Sequence, residues 1–68
     1  MKYTVIIEKT EHNYGAYVPD LPGCVAVGET KRVVLSLIKE AIELHLEGMR
    51  KEGIGIPKPT TSSKLIEV

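Results

Sequence analysis

A single cysteine, Cys24, in a chain of 68 residues excludes an intrachain disulfide. Histidine occurs only at positions 12 and 45, and aspartate only at position 20. So few nucleophilic and titratable groups leave little from which to build a catalytic centre. An excess of charge of either sign is missing as well: nine basic residues balance nine acidic ones. A domain that binds nucleic acid by itself usually shows a basic face, so autonomous DNA or RNA binding is not expected. No apolar run approaches the roughly 20 residues that cross a bilayer. The opening stretch Met1–Ile7 is interrupted by Glu8 and Lys9 and is too short for the core of a secretion signal. Together these absences predict a soluble, cytoplasmic protein. The length predicts one domain over residues 1–68, and a chain this short buries only about 60% of its unfolded surface. With no disulfide or metal motif to brace it, association with a partner or with a copy of itself is the expected support.

What is present is ordered by period. Tyr3, Val5 and Ile7 alternate with Lys2, Thr4, Ile6 and Glu8, which predicts a first strand burying the odd-numbered face. Glu11-His-Asn13 breaks it, with Asn13 suited to a positive-φ turn position. Tyr14–Val18 follows as a second, antiparallel strand. Pro19-Asp-Leu-Pro-Gly23 cannot continue a central strand because proline has no amide donor; Pro22 presets φ and Gly23 takes the awkward dihedral. Cys24–Val27 is short, apolar and β-prone, a third strand. Thr30 offers an N-cap, although Val33 stands where a capping box would need Glu or Gln. Arg50 and Lys51 fall in the last turn and Gly53 supplies the C-terminal stop, so the helix is predicted over 30–52. After a loop with two prolines, Lys64–Val68 alternates once more and reads as a terminal strand. The predicted fold is α+β, a single βββαβ domain: an antiparallel three-stranded meander, a helix and a C-terminal strand.

The helix carries more apolar surface than one sheet face needs. At about 100° per residue, Val34, Leu35, Ile38, Ala41, Ile42, His45, Leu46 and Met49 share one broad arc. Val33, Leu37 and Leu44 form a second stripe beside it. A helix whose outer side meets only water has no use for three additional aliphatics there. The stripe is therefore the candidate oligomer or partner interface. The Pro19–Gly23 turn, rigid and cheap to order, is a second candidate, presenting Asp20 and Leu21. The Glu40, Glu43 and Glu47 cluster suits either a solvated face or a negative strip facing a basic partner.

Motifs with chemistry do not survive inspection. His45-Leu-Glu47 has the H-x-E spacing of zinc deaminases, but no downstream Pro-Cys-x-x-Cys follows. Gly53-Ile-Gly55 begins like a dinucleotide fingerprint, yet Lys58 occupies the third glycine position and the segment follows a helix rather than a strand. Neither histidine has a companion at metal-ligand spacing. Cys24 has no basic neighbour to lower its pKa and reads as a packed, inert thiol. No catalytic, cofactor-binding or metal-ligating residue is assigned, no cofactor is expected, and the chain is not read as an enzyme.

The run Tyr14-Gly-Ala-Tyr-Val-Pro-Asp-Leu-Pro-Gly-Cys24, then Gly28-Glu-Thr30, then Ile38-Lys-Glu-Ala-Ile-Glu-Leu-His-Leu46, resembles the HicB-like antitoxin family over nearly the whole chain. The resemblance implies a partial RNase H-like fold without the carboxylate cluster of the true nucleases. It also implies a partner: a HicA-like toxin, a small mRNA-cleaving protein with a double-stranded-RNA-binding fold and a catalytic histidine, neutralised when its active surface is covered. Many relatives continue into a helix-turn-helix or ribbon-helix-helix module that binds a promoter, and no such module follows in these 68 residues. Lys31-Arg-Val-Val34 departs from the acidic and alanine residues usual there.

Two functions of different class follow. One is a toxin-neutralising binding module. The other is a self-assembling, homo-oligomeric domain, dimer or tetramer, with a structural or small-ligand role and no toxin. A neighbouring gene for a small basic protein favours the first; a lone gene and a stable homo-oligomer favour the second.

Overall fold

The computed structural model describes residues 1–68. Three strands, β1 (Ile6–Lys9), β2 (Tyr14–Tyr17) and β3 (Val25–Gly28), precede one helix, α1 (Lys31–Lys51). The strands form an antiparallel meander in the order β1-β2-β3. Ile6 pairs with Tyr17 and Ile7 with Ala16; in turn Tyr17 pairs with Val25 and Ala16 with Ala26. Because side chains alternate across a strand, this register sends Ile7, Ala16 and Ala26 to one face and Ile6, Tyr17 and Val25 to the other.

The first of these faces carries the helix. Val34 and Ile38 are buried against Ala16, Val18, Leu21 and Cys24, with Tyr3, Val5, Ile7, Ala41, Ile42 and Leu46 packed around that cluster. Gly28 is what brings the layers together: a Cβ there would lie 2.8 Å from the Val34 nitrogen and 3.1 Å from its Cα. No side chain fits between the end of β3 and the start of α1.

The local signals act much as their chemistry dictates. The Thr30 hydroxyl accepts the Val33 N–H at 3.1 Å, so the N-cap forms without the reciprocal half of a capping box. At the other end Gly53 adopts φ +72°, the Ile54 N–H reaches the Met49 carbonyl at 2.9 Å and the Gly53 N–H reaches that of Arg50 at 3.2 Å. That is a Schellman ending, in which a left-handed glycine satisfies carbonyls the helix would otherwise leave bare. Between β2 and β3 two turns follow in succession. The Leu21 N–H bonds the Val18 carbonyl and the Cys24 N–H bonds that of Leu21, both at 3.0 Å. The second of them has Pro22 and then Gly23 at φ +84°, the type II pattern.

Three expectations are corrected. Asn13 does not take positive φ; it closes the hairpin by bonding to Thr10. β1 pairs only from Ile6, because β2 ends at Tyr17 and the Val18 N–H turns toward the Cys24 carbonyl instead. Residues 64–68 form no strand. Their alternation is present, but no neighbouring edge meets them within the chain, and an unpaired strand has nothing to hold it extended. The three-stranded meander and the helix stand as expected.

Candidate partner-binding surfaces

The helix turns its second stripe outward. Val33, Leu37 and Leu44 are 43%, 39% and 69% exposed, values high enough for direct contact with another molecule. Leu35, expected on the sheet-covering arc, is also partly open, on the side of the helix away from that stripe. Beside Leu44 lie Glu40, Glu43 and Glu47, and the four residues line a shallow depression of about 330 Å³. Glu47 is engaged by Lys51 one turn on, at 3.3 Å, an exposed pair that contributes little. The flank thus presents aliphatic side chains fringed by carboxylates.

A second uncovered surface was not foreseen. The face of the sheet opposite the helix carries Ile6, Tyr17 and Val25 in one cross-strand row, with Val27 two residues further along β3. Tyr17, Val25 and Val27 are exposed. An antiparallel sheet that ends in water ordinarily alternates polar residues onto that side, whereas here Glu8 is the one charged residue of the paired strands on it. The signal was in the sequence: Val25 and Val27 flank Ala26, and only one of the two phases can face the helix.

The Pro19–Gly23 turn behaves differently from its expected role. Leu21 is fully buried among Val18, Cys24 and Ile38, so the folded chain does not present it. Its position inside two short turns folds the side chain back over the sheet. Asp20 faces the loop after the helix. Its Oδ2 accepts the backbone N–H groups of Thr60 at 3.2 Å and Thr61 at 3.1 Å, while its Oδ1 accepts their hydroxyls at 3.1 and 2.9 Å. The Thr61 N–H, foremost among these donors, holds the carboxyl below its ordinary pKa against the opposing effect of partial desolvation. Two more bonds fix the same corner: the Tyr3 hydroxyl donates to the Pro57 carbonyl at 2.5 Å and the Thr4 hydroxyl to that of Thr61 at 2.7 Å.

The remaining reactive groups lie apart. Cys24 is buried, and desolvation pushes its thiol pKa up, away from nucleophile chemistry. His12 is exposed in the hairpin turn and His45 is half-buried on the helix. No three His, Cys, Asp or Glu side chains converge in metal-binding geometry. No helix is long and apolar enough to cross a membrane.

The fold is an α+β domain, one helix laid over a three-stranded meander with apolar side chains left on both outer surfaces. Residues 3–67 match the sequence profile of the HicB-like antitoxin of bacterial toxin-antitoxin systems, and the chain belongs to that family. It is 49% identical over 59 residues to a UPF0150 protein of Thermoplasma acidophilum, covering 85% of this chain and 86% of that protein. It is 41% identical over 58 residues to a 14.9 kDa protein from the rep-hol intergenic region of Haemophilus phage HP1, of which it spans 44%. Among solved structures it superposes on a chain of a HicA3 and HicB3 toxin-antitoxin complex with a TM-score of 0.73 and 32% identity. That match covers 88% of this chain and 70% of the other.

Proposed function

We propose that this chain is the antitoxin of a toxin-antitoxin pair and neutralises a HicA-like, mRNA-cleaving toxin by covering its active surface. The observation that carries the reading is the flank of Val33, Leu37 and Leu44, left open beside Glu40, Glu43 and Glu47 on a fold that superposes on part of a toxin-antitoxin complex. A protein that cleaves mRNA must hold a phosphate backbone and therefore needs a basic surface. Aliphatic anchors set among carboxylates complement such a surface: the anchors supply desolvated contact, and the charges speed and orient the encounter. No chemistry is asked of this chain. Its place of action is the cytoplasm, where the transcripts are.

The test uses the product of the adjacent gene. Mixed with this chain, that product should co-purify with it and lose its RNA-cleaving activity. Leu37→Glu should abolish both effects while leaving the helical circular dichroism unchanged, since Leu37 lies outside the core cluster. Full inhibition by Leu37→Glu would exclude the flank as the covering surface. The alternative function, a self-assembling domain with a structural or small-ligand role, has less in its favour. The one concavity is shallow and ringed by carboxylates, a poor home for a small apolar ligand.

A further inference from the structure

Residues 62–68 leave the body of the molecule just after the corner where Asp20 holds Thr60 and Thr61. Leu65 is 98% and Ile66 75% exposed, an extreme position for two adjacent aliphatics in a β-prone segment. The same chain has an unused pairing template: β1 is an edge strand, and no strand covers its outer side. Seven extended residues reach about 23 Å, more than enough to line a four-residue edge of about 13 Å.

We infer that residues 62–68 of one copy add as an antiparallel strand to the outer edge of β1 in a second copy, reciprocally, so that two sheets join into one. This proposal does not depend on the toxin-binding reading, which uses the helix flank.

Side-chain matching selects the second copy over the chain's own edge. In antiparallel register, Lys64 opposes Glu8, Leu65 opposes Ile7 and Ile66 opposes Ile6. Lys64 then meets an opposite charge and Leu65 and Ile66 each meet an aliphatic, pairs that favour this register, while Glu67 falls opposite Val5 beyond the paired part of β1. Ile66 also extends the open-face row of Ile6, Tyr17 and Val25, giving that row a fourth member. Within its own chain the segment approaches β1 in the other direction. The Tyr3–Pro57 and Thr4–Thr61 contacts together give a parallel course, and carrying the second alignment forward sets Lys64 beside Ile7 and Leu65 beside Glu8. Charge then faces aliphatic at both positions. The other open edge, Val25–Gly28 of β3, offers no charge to meet Lys64.

A two-fold arrangement satisfies both segments at once, because β1 strands related by such an axis run antiparallel and each projecting segment then meets the foreign β1 in the required direction. The zero net charge of the chain opposes no such pairing.

The mass of the purified chain in solution is the first readout. A particle of twice the 7.5 kDa chain mass is expected, falling to a single chain in Leu65→Pro, which removes the backbone donor that meets the outward-facing Ile7 carbonyl. Leu65 lies outside the core, so the variant keeps its helical circular dichroism. A wild-type monomer, or a dimer that survives Leu65→Pro, overturns the proposal. The second readout is crosslinking between two separately prepared variants, Glu8→Cys and Lys64→Cys, with the buried Cys24 left in place. After mixing and oxidation, a disulfide joining one of each is expected. If instead the double variant closes a bridge within a single chain, the segment lies on its own β1 and the proposal fails.

Discussion

Asp20 holds Thr61, 41 residues further along the chain, by two bonds at once: its Oδ2 accepts the Thr61 N–H at 3.1 Å and its Oδ1 the hydroxyl at 2.9 Å. Two oxygens of one side chain thus fasten the loop after the helix to the turn between β2 and β3. Asp20→Ala removes both acceptors at once. Amide exchange at Thr60 and Thr61 is therefore expected to quicken, while exchange within β2 and α1 stays unchanged. Unaltered protection at both threonines would mean that the carboxylate does not hold the loop.

The same carboxylate gives the corner a pH dependence of known sign. The folded pKa lies below the ordinary carboxylate value, so the charged form is the one the fold favours. Its contribution is complete above the ordinary range and disappears as pH falls through the lowered value. Alanine at this position does not titrate. The acid limb of the loop's exchange protection is expected in wild type and absent in Asp20→Ala, as amide exchange measured from neutral to strongly acidic pH will show.

Ile38→Ala removes a branched side chain from the middle of the only helix–sheet contact. Such a truncation costs about 2–5 kcal/mol. A 68-residue domain has on the order of 3–10 kcal/mol of total stability. The variant is expected to be partly unfolded at room temperature, seen as a loss of helical circular dichroism and a lowered denaturant midpoint. Retention of wild-type stability would contradict the buried position of Ile38.

Gly28→Ala tests the close approach of the two layers. The added methyl meets backbone, Val34 N and Cα, rather than the end of a flexible side chain, so the helix start has to move. A loss of about 1–3 kcal/mol is expected, the usual cost of overpacking. Thr30→Ala provides a milder comparison at the same junction. Removing its acceptor for the Val33 N–H costs about 1 kcal/mol, a fall in Tm of about 4–8 °C. Thermal unfolding of the two variants should rank them in that order.

Cys24 should resist modification. Burial both shields the sulfur and raises its pKa, so a thiol reagent at mildly alkaline pH is expected to react only after denaturant is added. Prompt reaction with the native chain would show that the turn over the core opens readily.

The elements most legible in the sequence were those whose cause is local. Thr30 as cap, Gly53 as stop and the Pro22-Gly23 turn each depend on a few neighbouring atoms, and each appears where its chemistry requires. The helical stripe of Val33, Leu37 and Leu44 was legible for the same reason, since period alone sets which residues share a side. The burial of Leu21 is not legible locally, because turn residues are ordinarily surface and only two successive turns bring this one over the core. Asp20 was misread because its partners lie 40 residues away, and spacing in sequence carries no information about such a contact. Lys64–Val68 shows the opposite failure: the alternation is real, but a strand is a relation between two segments and the chain supplies only one of them. The open face of Ile6, Tyr17 and Val25 is written in the period of β3, where Val25 and Val27 share the phase opposite Ala26.

The bonds from Tyr3 to Pro57 and from Thr4 to Thr61 set an order of events during translation. Tyr3 and Thr4 leave the ribosome more than fifty residues before the carbonyls that anchor them, so the meander and helix can assemble while this stretch is still loose. Until residue 61 has emerged, the stretch stays available to proteases and to neighbouring nascent chains. Transcripts cut upstream of that codon, such as those left by an endoribonuclease, would yield a product in which Tyr3 and Thr4 are never fastened.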